Sequence, residues 1–311
     1  MPLKLGANLP QFTHYDLTRD VTEAALGLER IGYDSIWAFE RVLAPVDQSG
    51  GHGLYGVPDL PWPYIYEATV DPLVTMALAA AVTDRVELGF GVLVPPLHTP
   101  LRLAKALATL DAASGGRVIA GLGSGWSIDE FDAAAPRPYG ERGAALDEFL
   151  DISAAVWGPD PVTFQNESYR IGPAMVNPKP VREIPLYLAG STRTTFRRIV
   201  QRGAGWIPTG MAPHDLTVAI SRLRELAEAE GRSGADVDVV LQMNLNGFDE
   251  VPARDRQPYT GSPAQLVEDF AAVAEAGVSH VYVTASFVTS GVKELLDRTA
   301  EIYEAVRGAG L

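Results

Sequence analysis

The sequence predicts an α/β protein of the (β/α)8 TIM-barrel class with insertion segments, and three observations carry that expectation. Eight short apolar runs alternate with longer amphipathic ones along the 311 residues. The apolar runs are mostly continuous, as expected for parallel strands covered on both faces. No sequence repeat or low-complexity tract interrupts the series. Eight β/α units in one chain fit a closed barrel better than an open doubly wound sheet.

Each element has a local reason. Residues 3–8 (LKLGAN) read as the first strand. The stretch 18–31 has helical spacing at Val21, Ala24, Ala25 and Leu28, and Gly32 ends it. SIWAF (35–39) is the second strand, and Asp71-Pro72 opens a helix reaching about Thr83, with proline at the first helical position. VELGFGVLV (86–94) and VIAGL (118–122) are the third and fourth strands, separated by a helix from Pro100 to about Ala113. A further helix lies within 139–157. IPLYLAG (184–190), GWIPT (205–209), DVVLQMNLN (238–246) and HVYVTA (280–285) complete the strands, with helices at 194–202, 213–230, 263–276 and 292–307. Two stretches interrupt this rhythm. Residues 41–67 form a long Gly-, Pro- and aromatic-rich loop, a length that in a compact domain points to function. An insertion over about 158–180 contains VTFQNESYRI, which reads as a β-hairpin turning near Asn166 and decorating the barrel or a neighbouring subunit. The chain is expected to be a single domain.

Composition narrows the function. Hydrophobic residues make up 47% and charged residues 21%, the balance of a globular protein with a full core. There is no cysteine, which excludes disulfides, thiolate metal sites and cysteine nucleophiles. A net charge of −14 argues against nucleic acid as a partner. The N-terminal MPLKLGANLP lacks signal-peptide character, and no apolar run approaches a membrane span, so a cytoplasmic chain with no membrane partner is expected. The five histidines show no metal-ligand spacing, and no metal site is expected.

In a parallel barrel the chemistry sits at the C-terminal ends of the strands. The most informative such end is RVIAGLGSGW (117–126), a strand running into a Gly-x-Gly-x-Gly turn capped by Trp126. The glycines suit close approach of a flat, phosphate-bearing molecule, or simply a tight strand end where only glycine fits. Glu40 and Arg41 follow the second strand, as a catalytic pair or as an ion pair at the rim. Ser127 and Glu130 match a capping box, which favours a structural role for Glu130. LAGSTRTT (188–195) runs into a helix whose free N–H groups suit phosphate or carboxylate, or are merely capped by Ser191 or Thr192. His98, after the third strand, is a candidate for the mouth, whereas His280 at a strand start reads as structural.

Taken together, YDSIWAFERVLAP (33–45), the stretch 71–96, TLDAASGGRVIAGLGSGWSIDEF (109–131), YGERGAALDEFLDI (139–152), NPKPV (177–181), PLYLAGS (185–191) and GAGWIPTG (203–210) resemble the luciferase-like monooxygenase superfamily, and within it the deazaflavin-dependent oxidoreductases. The resemblance implies a bacterial luciferase-like barrel, often a homodimer, that binds coenzyme F420, or FMN in sister branches, and acts on a small organic substrate. It places the ring against a bulged third strand with a cis peptide at Gly91–Val92. It assigns the phosphate side to Ala189, Gly190, Ser191 and Thr192 with Thr209 nearby, and the ring flank to Trp126 and Asp129. It also implies catalytic roles for Glu40 and Arg41, with one departure: several members carry His where this chain has Arg41. Arginine stays protonated and is a poor acid–base group. Either Glu40 then handles the proton or Arg41 only stabilises negative charge on ring or substrate. Reduction of an activated double bond or imine is thereby favoured over alcohol oxidation. The resemblance leaves open two readings of the activity, an F420-dependent hydride transfer and an FMN-dependent monooxygenation.

Overall fold

The computed structural model describes residues 2–311. Ten strands and nine α-helices follow one another as β1 (Lys4–Asn8), α1 (Arg19–Ile31), β2 (Ser35–Ala38), α2 (Pro72–Ala80), β3 (Glu87–Leu93), α3 (Pro100–Ser114), β4 (Val118–Leu122), α4 (Ile128–Ala134), α5 (Arg142–Trp157), β5 (Val162–Gln165), β6 (Arg170–Ala174), β7 (Leu186–Leu188), α6 (Arg193–Arg202), β8 (Gly205–Trp206), α7 (Pro213–Ala229), β9 (Val240–Met243), α8 (Pro263–Glu275), β10 (His280–Val283) and α9 (Val292–Gly308). Eight of the strands form one parallel sheet in the order β8-β7-β4-β3-β2-β1-β10-β9. Parallel bridges Trp206–Val239 and Thr209–Gln242 join its two edges, so the sheet curls back on itself as a barrel.

The inner and outer faces of that barrel follow from the two-residue period of a strand. Ile36 and Ala38 of β2, Val118, Ala120 and Leu122 of β4, and Val281 and Val283 of β10 pack in the large core shared with the helices. Their neighbours Trp37, Ile119 and Tyr282 form a second, smaller cluster with Ile207 and Val240, which fills the barrel. Trp37 and Tyr282 stack at 4.3 Å, 8° from parallel. Glycines on adjoining strands make room for these rings. A Cβ on Gly89 would stand 2.4 Å from Trp37, and one on Gly6 would meet both Trp37 and Tyr282. Ser35 Oγ accepts from Trp37 Nε1 and pairs with His280 Nε2, each at 2.7 Å. Burial pulls the His280 pKa down to about 3, so this histidine is a neutral part of the core.

Element types match the sequence reading, while several strands are shorter than their apolar runs. β7 keeps only Leu186–Leu188, and β8 only Gly205–Trp206, followed closely by Pro208, which has no N–H to donate to a ladder. The helix expected within 139–157 begins at Arg142, and a separate short helix, α4, precedes it. The 41–67 loop has no long element, only one-turn 3₁₀ segments at Gly50–His52, Leu54–Gly56 and Tyr64–Ala68. In the insertion, β5 and β6 pair antiparallel. Asn166 Oδ1 accepts from the N–H groups of Ser168 and Tyr169, which makes the turn. Asn166 Nδ2 donates to Glu148 of α5, tying the hairpin to that helix. Among the described residues no helix is long and apolar enough to cross a membrane.

Candidate active site

A cleft of about 570 Å3 opens at the C-terminal ends of the strands, within the size range of small-molecule and cofactor sites. Its wall includes Glu40, Arg41, Gly91, Val92, Trp126, Ala189, Gly190, Ser191 and Thr209, all singled out in the sequence. Gln242, Asn244, Tyr55, Tyr66 and Phe287 complete it on other sides. Asp129 and Thr192 lie outside that wall. Asp129 instead pairs with His52 Nδ1 of the long loop at 3.0 Å. Thr192 caps α6, its hydroxyl accepting from Thr195 N–H at 3.1 Å.

The back of the cleft is β3. Its register with β4 shifts between Phe90 and Leu93, and the Gly91–Val92 peptide is cis. A Cβ on Gly91 would stand 2.0 Å from Tyr282 Oη, one on Gly123 2.9 Å from Val92 Cγ2, and one on Gly125 2.7 Å from Phe131. These glycines are therefore demanded by the protein's own packing, and the cleft runs alongside their backbone. Tyr282 Oη donates to Gln242 Oε1 at 2.6 Å, linking the barrel interior to the cleft wall. Burial raises its phenol pKa well above the ordinary value.

Glu40 and Arg41 do not pair with each other. Glu40 is buried, with Oε2 accepting from Val94 N–H at 2.6 Å and Oε1 bonded to His98 Nε2 at 2.6 Å. Arg41 points its Nη1 at Glu130 Oε2, 2.8 Å away, and both side chains are more than nine-tenths buried. The other Glu130 oxygen takes the Val42 N–H at 2.6 Å. Only half of the expected capping box is present. Ser127 Oγ accepts from Glu130 N–H, but the Glu130 carboxylate reaches across to the loop after β2. Burial raises the Glu130 pKa, and Arg41 opposes that rise. The Arg41 guanidinium lies 4.7 Å from the ring centre of Trp126 and 5.3 Å from those of Trp62 and Tyr66. Cation–π contacts of this desolvated kind contribute about 2 kcal/mol each. Trp62 and Trp126 in turn pack at 4.7 Å, and Tyr55 meets Trp126 edge-on. Arg41 is thus the hub that folds the aromatic loop over the turn after β4. Its Nε remains buried without an acceptor.

The segment leading into α6 leaves backbone donors free. Gly190, with φ +110°, precedes α6, and the amides of Arg193 and Thr194 find no carbonyl within the chain. Such first-turn N–H groups and the helix dipole attract phosphate or carboxylate. Trp206 Nε1 donates to the Gly190 carbonyl and holds this bend in place. Among the described residues no cluster of three or more His, Asp or Glu side chains is disposed to hold a metal ion.

The sequence model of the luciferase-like monooxygenase family matches residues 6–245. The chain belongs to that family. An uncharacterised family relative from Mycobacterium tuberculosis is 34% identical over 241 residues, covering 74% of this chain and 84% of the relative. An F420-dependent glucose-6-phosphate dehydrogenase of Kineococcus radiotolerans is 32% identical over 259 residues, 81% of this chain and 70% of that enzyme. Luciferase-like barrels among solved structures include an F420-dependent secondary alcohol dehydrogenase in complex with an F420–acetone adduct, with TM-score 0.77, 19% identity and coverage of 99% of this chain and 100% of that one. The oxygenating constituent of 3,6-diketocamphane monooxygenase with FMN gives TM-score 0.74 at 14% identity, covering 98% of each chain. At those identities the two structures share the fold. The luciferase-like family therefore includes both F420- and FMN-using enzymes, and this chain shares its barrel with both.

Three site features escaped the sequence reading. The Glu40–His98 contact joins residues 58 positions apart, and His98 stands behind Glu40 rather than on the cleft wall. The Arg41–Glu130 pair was hidden because Ser-x-x-Glu has a sufficient local explanation. Tyr282 lies inside a largely apolar strand, and only the glycines at Gly6 and Gly91 hinted that a bulky neighbour needed room.

Proposed function

We propose that the chain is an oxidoreductase transferring a hydride between reduced coenzyme F420 and a small organic substrate. The observation that supports this reading most is the placement of a buried, aromatic-enclosed Arg41 and a buried Glu40 on one wall of the cleft, with the Ala189–Ser191 bend that leads into α6 on another. The donor set fits a planar ring with an anionic tail. Ala189, Gly190, Ser191 and Thr209 with the first amides of α6 would hold the phosphate side. Val92 on the bulged strand and Trp126 would flank the ring. The preference for F420 over FMN draws on relatives above 30% identity that are named F420-dependent.

A bound reduced deazaflavin supplies two electrons as a hydride, and the chain must then position the substrate and manage charge and protons. Among the described residues Arg41 is the only cation on the cleft wall. Its orphan Nε marks unused donor capacity toward an oxygen or nitrogen that gains negative charge. Glu40 is the acid–base group that the cleft wall offers for moving a proton. The Arg41 position offers no base for removing a proton from an alcohol, and apolar rings surround it. An electron-poor double bond or an imine is therefore the substrate class that this wall suits, with reduction as the direction. The chain is further proposed to act as a homodimer, for which the exposed apolar groove of α2 and α3 (Leu73, Ala77, Leu101, Ala106, Leu110) is available.

Titration with F420 and with FMN tests the cofactor. Micromolar binding with a perturbed F420 absorbance is expected, and binding of FMN but not F420 would overturn the reading in favour of a flavin monooxygenase. Glu40→Gln is expected to lower kcat by about 100-fold, the usual scale of general acid–base catalysis, while F420 affinity changes far less. A loss confined to affinity would remove Glu40 from proton handling.

A further inference from the structure

We propose that His98 and Glu40 form a proton relay that joins the cleft to solvent by a path outside the cleft itself. The proposal rests on the reading above, in which Glu40 handles a proton.

Glu40 lines the cleft with only 5% exposure, so a substrate seated there would cover what contact it has with bulk water. Its carboxylate is oriented by the Val94 N–H on Oε2, which leaves Oε1 directed at His98 Nε2, 2.6 Å away. His98 is not a cleft residue. It follows the one-turn segment Pro95–Leu97, its own N–H donates to the Pro95 carbonyl, and its side chain keeps 26% exposure. Among the described residues nothing in the chain bonds to Nδ1. The imidazole therefore meets the site only through Glu40 and meets solvent with its other nitrogen.

The charges facing His98 favour its protonated form. Glu40, from the segment after β2, and Asp71, at the N-terminus of α2, both act on it, and Glu40 in turn raises Glu130 of α4. Burial pulls the His98 pKa down, but the hydrogen bond and charge of Glu40 outweigh it and leave the value raised. In the relay, Nδ1 takes a proton from water as Nε2 gives one to Oε1. The resulting carboxylic acid passes its proton to the substrate atom that needs one during the two-electron reduction. Glu40 returns to carboxylate and the ring resets its tautomer by exchange with water. One solvent proton enters for each substrate reduced.

Imidazole NMR titration of the ligand-free protein, with His98 assigned from His98→Gln, is the first arm. In Glu40→Gln the His98 pKa should fall from its raised position, and an unchanged value would overturn the relay whatever the enzyme does. The second arm follows reduction of 2-cyclohexenone by F420H2. His98→Ala should lose about 10-fold or more in kcat with little change in KM and should flatten the pH profile. Added imidazole should restore part of the rate, since the cavity left behind opens to solvent. Loss of rate without rescue, in both His98→Ala and the better-folded His98→Gln, would assign His98 a structural role and refute the proposal. If the wild type reduces no activated alkene or imine, the substrate reading fails, and the NMR arm alone decides the relay.

Discussion

Replacing Gly91 by alanine should be among the most damaging one-carbon changes available in this barrel. The added Cβ would stand 2.0 Å from Tyr282 Oη, 2.7 Å from its Cζ and 3.4 Å from Trp37. Tyr282 has nowhere to go. It is 2% exposed, stacked on Trp37 at 4.3 Å and bonded to Gln242 at 2.6 Å. Overpacking of a filled core costs about 1–3 kcal/mol, and loss of the Tyr282–Gln242 bond adds about 0.5–1.5 kcal/mol. A total near 2–4 kcal/mol lowers Tm by roughly 4–10 °C for a chain of this size. Differential scanning calorimetry of Gly91→Ala, Tyr282→Phe and the double variant separates the two contributions. Removing the hydroxyl takes away the 2.0 Å contact and leaves only the ring edge at 2.7 Å, so the double variant should melt above Gly91→Ala, with a coupling of about 1 kcal/mol. A Gly91→Ala protein within about 2 °C of wild type, or strictly additive losses, would refute the steric argument.

Other perturbations follow from the same geometry. Arg41→Met strands the Glu130 carboxylate, and leaving one member of a buried pair costs about 3–5 kcal/mol. Because burial already raises Glu130, the loss should shrink as pH falls from 8 to 5 and the carboxyl takes up a proton, which thermal melts across that range would show. Thr192→Ala removes the α6 cap at Thr195 N–H and should cost about 1 kcal/mol, with F420 affinity altered less than threefold by titration if backbone amides hold the phosphate. His98 has a raised pKa, so its stabilising contribution is complete below the unfolded value and lost as pH rises through the folded one. The Tm gap between wild type and His98→Gln should therefore narrow from pH 6 to pH 9, and a gap that widens would reverse the assignment of the charged pair.

The barrel was legible because its evidence is local. Continuous apolar runs such as VIAGL, prolines at helix starts such as Pro72 and Pro100, and glycines at helix ends such as Gly32 and Gly115 each constrain the backbone within a few residues. The mouth was legible for the same reason, since a parallel barrel places its chemistry after its strands. Strand ends at Leu186–Leu188 and Gly205–Trp206 were not, because they depend on which neighbour is in register rather than on the run itself. Asp129 was expected at the ring flank, but its sequence position says nothing of His52, which folds in from the long loop to meet it.

Pattern and composition alone determined the fold class, the position of the mouth and the lack of any cysteine chemistry, since all of these follow from residue type and short-range pattern. Tertiary structure decided who partners whom. Glu40 chose His98 rather than Arg41, Arg41 chose Glu130 and three aromatic rings, and Tyr282 claimed the space left by Gly91. Charges and rings interact through space over a few ångströms, and those distances exist only after the sheet has closed.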